Sequence, residues 1–90
     1  MQDTLKAVIE DLERTLNQMH EHQRAKTLAI VHETRPELTW DDMLNPDDYR
    51  EIMTNPRFVY EDGLAAGILS AKIAVRARLL DLYHEAPQDS

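Results

Sequence analysis

The sequence predicts an all-α fold: a long antiparallel helical hairpin with a short helical connector, dimerising into a four-helix-type bundle. Three observations lead there. Two Gly and four Pro in 90 residues, with few β-branched runs, disfavour a sheet protein. Apolar residues recur at helical spacing from Leu5 to Ile30. The stretch Glu61 to Tyr83 is apolar nearly all round, with no acid between Asp62 and Asp81 in a chain of formal net charge -7.

The first helix is expected over 3–34, with Asp3 or Thr4 as N-cap and Pro36 ending it. Leu5, Ile9, Leu12, Leu16, Met19, Gln23, Lys26 and Ile30 alternate by four and three, the seam of a helix packed at a shallow angle, and Val8 and Val31 widen it. The middle of that seam is polar: His20, Gln23, Lys26 and Thr27. Residues 35–60 form the connector. Thr39 and Asp42 have capping-box spacing and predict a short helix over about 39–44. Asn45-Pro46, an N-cap followed by an N1 proline, predicts another over about 46–53.

Asn55-Pro56 repeats the device and predicts the last helix over about 56–84, with Asp62 as the alternative cap. The polar tail 85–90 is expected to fray. At about 100° per residue the last helix has three strips. Leu64, Ile68, Ala71, Val75, Leu79 and Leu82 form a broad apolar face, and Ala65, Leu69, Ile73 and Leu80 a second. Gly63, Gly67, Ser70 and Ala74 form a strip of small residues. A two-helix hairpin offers one contact line, so the simplest cover for the remaining faces is a second copy in a C₂ dimer.

Composition bounds the function. Ninety residues make a single domain, 1–90, with a modest core. Hydrophobic residues at 42% and charged residues at 30% describe a soluble globular chain. Without cysteine there is no disulfide framework, thiolate nucleophile or Cys-based zinc site, which fits a reducing, cytoplasmic setting. The N-terminus is charged from its third residue, unlike a signal peptide, and no apolar run approaches the roughly 20 residues that span a bilayer. Excess acid disfavours nucleic acid as a partner.

No residue pattern predicts a catalytic, cofactor or metal site. His20 and His22 lie on opposite sides of a helix, His32 has no ligand one turn away, and Asp81 with His84 is only a pair. Glu10 and Glu13 form an ExxE of the kind that all-α nucleotide pyrophosphatases pair with a later acidic motif, but residues 63–80 hold no acid. The connector acids fail calcium-loop spacing and suit helix N-termini. Two features remain as candidates. Gly63, Gly67, Ser70, Ala71 and Ala74 would let a second helix backbone approach closely, a self-association interface. His20, Gln23 and Thr27 would either line a polar ligand pocket beside that strip or fix register and oligomer state. Length matching about Pro36 places Gln23 near Ile68, Thr27 near Leu64, Lys72 near Met19 and Arg78 opposite Glu13.

In layout, with Arg24, Arg35 and the run Asp48-Tyr49-Arg50-Glu51, the chain also resembles the all-α chorismate mutases. That resemblance implies an intertwined dimer and a cationic site for a dicarboxylate. It departs from the family in having only Lys6 near the start of helix one and no matching late glutamine. The sequence favours a small non-catalytic interaction or regulatory module acting as a homodimer. The alternative is a ligand-binding or catalytic bundle around His20, Gln23 and Thr27.

Overall fold

In a computed structural model, which describes residues 2–87, two long helices pack against each other in antiparallel fashion. Helix α1 spans Gln2–His32, α2 Arg50–Met53 and α3 Pro56–Glu85. Asp3 and Thr4, expected as caps, lie inside the first turn of α1, where the charge of Asp3 suits the helix dipole. α1 tightens at its end, Glu33 and Thr34 donating to carbonyls three residues back, and the His32 ring bonds the Leu38 carbonyl at 2.7 Å. The Asn55 side chain accepts the Arg57 N–H at 3.0 Å and Pro56 opens α3, so the start at Asp62 is not used.

The connector is more broken than two short helices. Thr39 and Asp42 form the reciprocal box, Asp42 accepting the Thr39 N–H at 2.8 Å and Thr39 Oγ1 accepting the Asp42 N–H at 3.4 Å. That box opens only a 3₁₀ turn, at Asp42–Leu44. A second 3₁₀ turn at Pro46–Asp48 then stops at Tyr49, so in place of one helix over 46–53 the chain makes that turn and the single turn of α2. Tyr49 leaves the helical path because its ring packs on the core beneath the Arg35 guanidinium, 5.4 Å from the ring centre. The tail residues 88–90 lie outside the described residues.

Ile30, Val31, Leu38, Met43, Ile52 and Phe58 form the main core, flanked by Leu28, Trp40 and Tyr49. All of it sits at the connector end. Arg57 pairs with Glu33 at 2.8 Å, and Arg35 with Glu51 at 2.6 Å and with Glu37, closing that end with exposed ion pairs of small individual worth. Farther out, among the described residues, only Ile9 and Ala65 are buried apolar residues on the two long helices. The molecule measures 59 × 18 × 17 Å, with a radius of gyration of 17.6 Å where a compact chain of this length has roughly 12 Å.

Phe58 is 3% exposed and its neighbour Val59 54%. Phe58→Ala should therefore cost about 3–5 kcal/mol in urea unfolding, while Val59→Ala should stay within about 0.5 kcal/mol. Equal losses at the two positions would place the core elsewhere.

Candidate functional site

The contact line between the long helices is partly polar. From α1 it uses Ile9, Gln23 and Thr27, all buried, with Leu5, Glu13, Leu16 and His20 half-buried. From α3 it uses Phe58 and Ala65, buried, with Glu61, Ile68, Lys72, Leu79 and Tyr83 half-buried. Gln23 Nε2 donates to the Glu61 backbone carbonyl at 3.0 Å and to the Glu61 carboxylate. The Thr27 hydroxyl donates to the Gln23 carbonyl at 2.9 Å. Among the described residues no buried side-chain polar atom lacks a partner. The partner of Gln23 is thus Glu61, two turns nearer the connector than the expected Ile68. Length matching about Pro36 misplaced it because the connector, not a tight turn, sets the register: α1 ends at His32 and α3 begins at Pro56.

The small strip does not adjoin these polar groups. Gly63, Gly67, Ser70, Ala71 and Ala74 are exposed, and a Cβ built on either glycine would meet nothing within 4 Å. Helical spacing puts Gly63, Gly67, Ser70 and Ala74 directly opposite Ala65, away from α1. No pocket therefore opens between Gly67 and Gln23.

Open space lies instead farther along the hairpin. A cleft of about 320 Å³ is lined by Glu13, Leu16, Asn17, Lys72 and Arg76. Arg76 pairs with Glu13 at 3.2 Å, the place expected for Arg78, which instead lies 4.0 Å from Glu85. Lys72 sits on the contact line near His20. Burial first, then the charges of Lys72 and Arg24, hold the His20 imidazole below its ordinary value, against a smaller opposing effect of Glu21. Burial also pushes the Asp62 carboxyl up. The arginines behind the layout resemblance do not converge on the cleft: Arg24 lies over the Trp40 ring at 4.7 Å, and Arg35 is bound to Glu37 and Glu51. Among the described residues no three His, Cys, Asp or Glu side chains group as metal ligands. Among the described residues no helix is long and apolar enough to cross a membrane.

Sequence reasoning passed over one feature. Val8, Leu12 and Met19 counted as seam or as its widening, yet they are 48%, 41% and 50% exposed. The signal was available: at about 100° per residue they cluster to one side of the line through Ile9 and Thr27.

Gln23→Leu should lower stability by about 1–2 kcal/mol in urea unfolding, because the buried bond to Glu61 is lost. Unchanged stability would show that this pair does not hold the register. For His20 the lowered pKa sets the sign. The unfolded chain binds that proton more readily, so stability is complete above the ordinary value of 6.5 and falls as pH drops through the lowered folded value. His20→Gln should flatten Tm against pH across that window, and an unaltered slope would assign the dependence to other groups.

No protein-family model matches the chain, nor does any curated protein or solved structure. Its internally paired polar groups and its bare apolar helix faces are what bear on its role.

Proposed function

We propose that this chain is a small non-catalytic helical interaction or regulatory module that acts as a homo-oligomer, with α3 as the associating element. One observation carries the proposal. α3 meets α1 along a single line, and Val59, Leu64, Leu69, Ile73, Val75, Leu80 and Leu82 are all exposed around the rest of it. Monomeric proteins expose single apolar residues freely, but contiguous faces of this kind mark interaction surfaces. The small strip formed by Gly63, Gly67, Ser70 and Ala74 is exposed on the side of α3 turned away from α1. The ligand-binding alternative around His20, Gln23 and Thr27 has less support, since Gln23 and Thr27 spend their donors on Glu61 and on α1 itself.

Sedimentation equilibrium over a range of protein concentrations tests the proposal. A mass of at least twice 10.4 kDa at micromolar concentration is expected. A mass that stays at one chain throughout would overturn it.

A further inference from the structure

We infer that the second copy docks on one particular side of the hairpin, face to face, with the two connectors at opposite ends of the dimer. This rests on the homo-oligomer proposal and narrows it to a surface and an orientation. In an antiparallel pair of right-handed helices, Val8, Leu12 and Met19 of α1 turn to the same side as Leu64, Val75 and Leu82 of α3. All six are at least 39% exposed. The clefts agree with that assignment. Lys26 and Ile30 share one cleft with Arg57 and Glu61 on this side, whereas Lys6 and Glu10 share another with Arg76 and Leu80 on the far side.

Charge divides the two sides sharply. On the first side α1 presents Thr4, Leu5, Val8, Leu12, Thr15 and Met19, and between Leu64 and Leu82 α3 carries one charge there, Arg78 at its outer edge. On the other side α1 presents Lys6, Glu10, Glu13, Glu21 and Arg24. The connector also folds over that charged side, with Trp40 against Arg24. The less charged side is therefore bare along its length.

Several features say what covers it. The chain exposes 6431 Å², roughly 1,000 Å² more than a folded monomer of 10.4 kDa ordinarily does. A standard interface removes about 800 Å² per partner. The less charged patch extends about 28 Å along α3, and the hairpin is 18 Å wide. A chain of net charge -7 repels its own copies. This side, with Arg78 as the one charge of α3 on it, is where that repulsion is least, and an isologous pair needs only a surface that complements itself.

The rim sets the orientation. Lys26, Glu33, Arg57 and Glu61 edge the patch at the connector end, where Arg78 is the one charge of α3 farther out. With the connectors together, each of these charges would be buried against its own counterpart, at a desolvation cost the pairing does not return. With the connectors apart, the patches stack and the charged ends overhang into water.

The experiment uses the full chain, whose lack of cysteine allows single-site labelling. Leu12→Glu and Val75→Glu should each turn the dimer into a monomer in sedimentation while leaving helical circular dichroism unchanged. Gly67→Leu, on the outer strip, should leave the dimer intact. A spin label on Asp47→Cys should give an intermolecular distance beyond about 50 Å, from the helix rise between patch centre and connector. If the unaltered chain is itself monomeric, the homo-oligomer proposal fails. If it is a dimer that survives both glutamates, or that Gly67→Leu breaks, the homo-oligomer stands and the inferred side is wrong. A label distance under about 30 Å would overturn the orientation.

Discussion

The hairpin depends on a clamp at one end. Val31 of α1, Phe58 at the start of α3 and Leu38, Met43 and Ile52 of the connector bury one another, so the three segments hold together as one cluster. Without that cluster neither long helix has a partner of its own, because the rest of their contact line is thin. From Gln23 outward it offers Ala65 and Ile9 as buried apolar residues, with Lys72 and the Glu13–Arg76 pair in between. A lysine at a helix contact line contributes its stem more than its charge. The outer two-thirds of the hairpin therefore hold together with far less burial than the connector end.

The buried polar residues belong to this arrangement and not to a separate chemistry. Gln23 reaches a backbone carbonyl and a carboxylate of the same residue, Glu61, a pair of bonds that one register satisfies. Slipping α3 by one turn would set the buried Gln23 amide against Ala65, which offers no side-chain acceptor, at a cost larger than the bonds themselves contribute. Thr27, fully buried, avoids the same penalty by bonding within α1. His20 is held neutral more readily than in water, which suits a half-buried place beside Lys72.

The helices were legible from punctuation and period. Asn55-Pro56 and the seam from Leu5 to Ile30 suffice to place two long helices and a connector between them. The break at Tyr49 was not legible, because it comes from a tertiary contact with Arg35 and the core that local capping signals do not carry. The strips of α3 were correctly separable by period, but which one meets α1 was not. The line of Ala65, Ile68, Lys72, Leu79 and Tyr83 draws on both apolar strips, and it faces α1 because the start of α3 is fixed by the clamp at Phe58. That single rotation moved the small strip to the far side from Gln23. It also left the broad face of α3 level with Val8, Leu12 and Met19.

Clamp and bare side together make one physical problem with one economical solution. The connector supplies core where the helices meet it and shields the charged side there, but it cannot reach the outer arms. Those arms carry the less charged side, and they are the part of the hairpin with the least internal burial. A surface that is both the most apolar and the least supported gains most from a partner, since covering it removes apolar area from water and steadies the weakest helix contact at once. A second hairpin has the matching length, the same sparse charge and the same deficit, so in the proposed dimer each copy would supply the layer that the other lacks.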